Sequence, residues 1–82
     1  MEILHLTLKK KWFDMILCGE KKEEYREIKP YWNKRLLNKK FDAIDAPNFI
    51  IELKGIYRGL GIEEWGAPLG DMVFILKLGK VL

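Results

Sequence analysis

Apolar and polar positions alternate from Ile3 to Leu8, with Leu4, Leu6 and Leu8 on one side and His5 and Thr7 on the other. That period predicts a half-buried strand. From Lys9 to Cys18 the period becomes helical: Trp12, Phe13, Ile16 and Leu17 form a stripe, while Lys9, Lys10, Lys11 and Asp14 face out. Trp12 and Phe13 read as core rather than as a ligand platform. Cys18 shares the apolar pattern and reads as a buried structural thiol. Gly19 stands where a helix takes its left-handed C′ residue.

The stretch Gly19–Glu27 sets carboxylates and cations around the single aromatic Tyr25 and contributes nothing obvious to a core. Its Glu and Lys content favours helix by propensity. Against that, Gly19 has just ended a helix, no apolar stripe follows, and Pro30 disfavours helical dihedrals at Lys29. As a strand, Lys21–Lys29 would project Lys22, Glu24 and Arg26 to one face and Lys21, Glu23 and Tyr25 to the other. Pro30–Leu37 predicts a short helix with proline in its first turn, ended by Asn38-Lys39-Lys40. Phe41–Pro47 is a connector or short strand. Phe49–Arg58 is the longest strand-like run, with Gly55 marking a bend or bulge. Gly59–Asp71 is a glycine-rich loop carrying Glu63, Glu64 and Trp65. Met72–Leu78 is a closing strand, apolar enough to be central or covered on both faces. The expected architecture is α+β: a single domain over 1–82, with a curled sheet able to close into a small barrel and short flanking helices.

Composition narrows the function classes. Hydrophobic residues make up 49% of 82 positions, enough for a core without staples. One cysteine excludes an internal disulfide and suits a reducing compartment. One cysteine and one histidine cannot close a tetrahedral shell, so no metal is expected; no motif asks for a cofactor. Met1–His5 lacks a basic, apolar leader pattern, and no apolar run reaches the ~18–20 residues of a membrane span. A cytoplasmic protein is the expectation. Residues 1–40 hold eleven Lys/Arg against six Asp/Glu, and residues 41–82 hold four against six, which is +5 and −2. The basic half suits a polyanionic partner; a solvated lysine-rich surface is the alternative.

Gly19, Lys21, Glu24 and Arg26 are spaced as in the signature of the ASCH domain family, which has a PUA-like fold. The preceding Leu6-Thr7-Leu8-Lys9 strand, the Trp12–Leu17 helix, Glu64-Trp65-Gly66-Ala67 and Phe74–Gly79 also resemble segments of that family, in the compact stand-alone type found in phage and bacteria. The likeness covers essentially the whole chain. It implies a PUA-like β-barrel of five or six strands with flanking helices, an RNA or modified-nucleoside role, and a strand rather than a helix at Lys21–Lys29. Two departures stand out: the Phe41–Phe49 connector is shorter than in relatives, and Glu24 occupies a position where ASCH-like cytidine deacylases can carry a threonine.

The leading expectation is an RNA- or nucleotide-binding cleft built by Lys21, Glu24 and Arg26, with Lys9 and Lys29 as cations and Trp32 and Trp65 as stacking surfaces. A Glu24–Arg26 pair would fix both side chains and leave guanidinium donors for a phosphate or base edge. The alternative is a small amidohydrolase acting on N4-acylated cytidine or a related modified nucleoside. There Lys21 would be the base or nucleophile, with Glu24 and Glu64 as candidate catalytic carboxylates. A third class is a non-enzymatic module that docks a protein partner through its aromatic surface.

Overall fold

The computed structural model describes residues 2–46 and 49–82. Met1, where the leader reading begins, and Pro47 and Asn48, in the expected connector, lie outside the described residues. The runs read as strands become β1 (Ile3–His5), β2 (Glu23–Glu27), β3 (Ala43–Ala46), β4 (Phe49–Leu60) and β5 (Met72–Val81). The two helical segments become α1 (Lys10–Leu17) and α2 (Pro30–Leu36), and one 3-10 turn, Glu63–Trp65, interrupts the glycine-rich loop. No helix among the described residues is long and apolar enough to cross a membrane.

The five strands form one curled sheet in the order β1-β3-β4-β5-β2, a half-barrel flanked by the two short helices. β1 and β3 are parallel and every other pair is antiparallel. The twelve-residue β4 serves two neighbours. Its first residues, Phe49–Glu52, pair with β3, and Ile51–Leu60 pair with β5. Register shifts between Ile51 and Leu53 and between Leu53 and Gly55 fall where the two pairings meet. Such irregularities bend a strand and increase its twist, which curls the sheet at the position where Gly55 predicted a bend.

The main core collects Leu4 and Leu6 after the β1 alternation, Ile16 from α1, Leu36 from α2, Ile44, Ile51 and Leu53 from β3 and β4, and Phe74, Leu76 and Leu78 from β5. Each large buried side chain of this kind contributes about 1.5–3 kcal/mol. A second, smaller cluster joins Tyr25, Ala67 and Val73, with Trp65 and Ile75 packed on it. β5 lies inside the sheet between β4 and β2, as its apolar run predicted.

Two readings of the α1 region need correction. Leu17 is exposed rather than part of the apolar stripe, and Cys18 is exposed rather than buried. In this eight-residue helix only Ile16 is fully buried, and Phe13 meets Phe49 edge-on at 4.6 Å. The chain leaves the helix at Cys18, whose Sγ–H points back to the Met15 carbonyl at 3.4 Å. Gly19 adopts φ +88°, the expected left-handed C′ conformation. β1 is also shorter than the Ile3–Leu8 pattern, although Leu6 N–H still donates to the Asp45 carbonyl at 3.1 Å.

Candidate functional site

β2 is an edge strand, and its register against β5 explains why charged residues there are buried. Glu24 lies opposite Leu76 and Arg26 opposite Phe74. Opposed residues share a face of the sheet, so Glu24 and Arg26 project to the same side as two core side chains. Tyr25 lies opposite Ile75 and projects the other way. Lys21 precedes the strand, so the alternation that set it beside Glu23 and Tyr25 does not extend to it. After the left-handed Gly19, Lys21 N–H donates to the Met15 carbonyl at 2.9 Å, and the side chain runs under the strand to Glu24.

Lys21 is 2% exposed and Glu24 is 5% exposed. The Lys21 ammonium donates to the Trp65 carbonyl and lies 3.2 Å from Glu24 Oε1. The Tyr25 and Trp12 ring centroids lie 4.8 and 5.2 Å from it. Glu24 Oε2 accepts from Arg26 Nη1. Arg26 also donates from Nη1 to the Tyr25 carbonyl at 2.7 Å and from Nη2 to the Thr7 carbonyl at 3.1 Å, with its guanidinium 5.3 Å from the Trp32 ring centroid. One carboxylate therefore holds two cations. Burial pulls the Lys21 ammonium below its ordinary pKa; Glu24 opposes the shift and Arg26 adds to it.

The loop after β4 completes the arrangement. Gly66, at φ +102°, ends the 3-10 turn and aims the Trp65 carbonyl at Lys21. A Cβ at Gly66 would stand 2.9 Å from Trp12 Cζ2. Tyr25 Oη donates to Glu23 Oε1 at 2.7 Å and accepts the Ile62 N–H at 2.9 Å, pinning this loop to β2. Burial raises the Tyr25 pKa above its ordinary value; the Ile62 N–H opposes the shift and Glu23 reinforces it.

Beside these groups opens a cavity of about 840 Å³. Its wall brings together Glu24, Arg26, Lys9, Trp32 and Trp65 from the residues singled out in the sequence. Lys21 sits behind Glu24 and Trp65 rather than on the wall. Lys29 is exposed, 3.8 Å from Glu27, and Glu63 and Glu64 are exposed; none of the three lines the cavity. Trp12, read from the sequence as core rather than as a ligand platform, instead lines this cavity and belongs to neither apolar cluster; Thr7, Asp71 and Met72 line it without having been read as site residues. Trp12 belonged to an apolar stripe, which gives no sign that one of its members walls a cleft. With Trp12 included, all three tryptophans of the chain face this one space. Among the described residues no three His, Cys, Asp or Glu side chains converge as a metal-binding set.

Comparison with protein-family models, with curated proteins and with solved structures gives no match for this chain.

Proposed function

We propose that this chain binds a nucleotide or single-stranded RNA in the cavity at the β2 edge, as an ASCH-like domain whose half-barrel is of PUA-like build. The observation that carries this reading is the gathering of all three tryptophans around one open cavity beside the Arg26 guanidinium. Indole faces stack nucleobases at about 1–3 kcal/mol per base without needing a particular sequence. Glu24 uses one lone pair on Lys21 and one on Arg26, out of roughly four that a carboxylate offers. The remainder can accept an exocyclic amino group, as acidic side chains do with cytosine N4.

Two further features support the reading. The first turn of α1 carries no acidic residue and no side chain caps it, while Lys9, Lys10 and Lys11 crowd its start. Cations there oppose the helix dipole, and a phosphate beside Lys9 would relieve that conflict. The second is the resemblance of Gly19, Lys21, Glu24 and Arg26 to the ASCH signature.

The amidohydrolase reading draws on the lowered pKa of Lys21, which suits a base or nucleophile. Its geometry is poorer. The ammonium is enclosed by the Trp65 carbonyl, Glu24 and two rings, and Glu64 faces solvent away from the cavity. Binding is therefore the preferred function. Tryptophan emission reports on this cavity alone, so titration with ribonucleoside monophosphates and short single-stranded RNA tests it directly. Saturable quenching, with shifts of the three indole N–H resonances, is the expected result. Unchanged emission and unchanged indole resonances at millimolar ligand would overturn the proposal.

A further inference from the structure

The tryptophan-walled cavity is not itself positive: Lys9 and Arg26 on its wall face Glu24, Glu27 and Asp71. It can hold a base and one phosphate, but its charge does not favour a phosphodiester chain. Its wall continues, however. Ile28 and Met72 also line a second depression of about 740 Å³, between the end of α2 and the β4–β5 pair. The charged side chains there are Lys39 and Arg58, and its lining holds no carboxylate. Neither cation takes part in an ion pair among the described residues.

We infer that this second depression is a phosphodiester subsite: single-stranded RNA crosses the Ile28–Met72 ridge from the cavity and sets its phosphates on Lys39 and Arg58. The inference rests on reading the first cavity as a nucleotide site and extends it from a mononucleotide to an oligonucleotide. Division of labour by charge is its physical basis. A pocket without excess cations selects a base by stacking and hydrogen bonds, and an adjoining pocket with cations alone supplies the backbone affinity that counterion release makes salt-dependent.

The test compares the four ribonucleoside 5′-monophosphates with their homotetranucleotides by calorimetry at low and moderate salt, using the wild-type chain and the double variant Lys39→Gln, Arg58→Gln. Both substitutions are on exposed side chains outside the first cavity. The tetranucleotides are expected to bind at least about tenfold tighter than the monophosphates, with a steeper salt dependence. The double variant should lower the logarithmic salt slope by about 1.4, at roughly 0.7 per phosphate contact on a single strand, and leave monophosphate affinity unchanged. Monophosphates that bind with no gain on lengthening would overturn the subsite and leave the nucleotide site standing. A gain that survives the double variant would overturn its assignment to Lys39 and Arg58. If neither ligand binds, the nucleotide site falls and the subsite with it.

Discussion

Arg26 on β2 donates from Nη2 to the backbone carbonyl of Thr7, two residues beyond β1, at 3.1 Å. β1 and β2 are the two ends of the strand order, so this contact spans the opening of the half-barrel with a side chain in place of a strand ladder. The same guanidinium holds Glu24 and the Tyr25 carbonyl. Arg26→Ala should therefore cost about 3–5 kcal/mol, the range for breaking a buried ion pair by removing one partner. Arg26→Lys keeps the charge, lacks the planar fork, and should fall between wild type and alanine. Urea unfolding checks the order; an alanine variant as stable as wild type would show that the latch contributes nothing.

Glu24 is shared between two cations, and that stoichiometry makes the triad asymmetric. Glu24→Gln leaves the buried Lys21 and the half-buried Arg26 without a carboxylate, for a loss of about 3–5 kcal/mol. Lys21→Met leaves the Glu24–Arg26 pair neutral and intact, and its main cost is the unpaired Trp65 carbonyl, about 1–3 kcal/mol. The double variant should be more stable than the sum of the single losses implies, with a coupling of about 0.5–3 kcal/mol. Equal single losses with full additivity would contradict a shared carboxylate.

Burial lowers the Lys21 pKa from 10.5. Between the lowered value and 10.5 the unfolded chain binds a proton that the folded chain has released, so unfolding free energy rises with pH across that window. Tyr25 is raised above 10.0; above pH 10 the folded chain keeps a proton that the unfolded chain loses, and stability falls as pH rises. The wild-type curve minus the Lys21→Met curve should climb towards pH 10.5 and then level. A Tyr25→Phe variant should lose the alkaline decline. A flat difference curve for Lys21→Met would mean that its ammonium is not desolvated.

Gly66→Ala tests the loop that aims the Trp65 carbonyl. Alanine meets both the left-handed backbone and the Trp12 ring, 2.9 Å from its Cβ. A loss of about 1–3 kcal/mol should come with a shift in tryptophan emission, because Trp12 must move. Unchanged emission would place the strain elsewhere.

Cys18 should react fully with a thiol reagent in the folded protein, at a rate independent of denaturant below the unfolding transition. Reaction only on unfolding would restore the buried thiol that the apolar pattern suggested.

Much of the chain's local organisation was legible in its residues. The Leu4/Leu6 alternation, the Gly19 C′ position, proline at the start of α2, the bend near Gly55 and the interior place of β5 all follow from short-range rules of period and dihedral freedom. β2 was harder, because its glutamates and the flanking lysines favour a helix; as an edge strand opposed to Leu76 and Phe74, it is stabilised by pairing that propensity cannot register. The Leu17 and Cys18 expectations failed because a helical stripe says which side chains share a face, and not how many of them a short helix can bury.

Lys21, Glu24 and Arg26 were singled out through the resemblance of their spacing to a family signature, and on a strand the two-residue step placed Glu24 and Arg26 on one face. Only the tertiary structure decided that Lys21 joins that carboxylate from outside the strand, that Thr7 and Trp65 supply backbone carbonyls to the two cations, and that Trp12, Trp32 and Trp65 wall one cavity while Glu64 faces away. The physical reason is separation along the chain. Trp65 follows Lys21 by 44 residues and Thr7 precedes Arg26 by 19, and such carbonyls meet these cations only once the fold sets the β4–β5 loop against the β2 edge and curls β1 round to it.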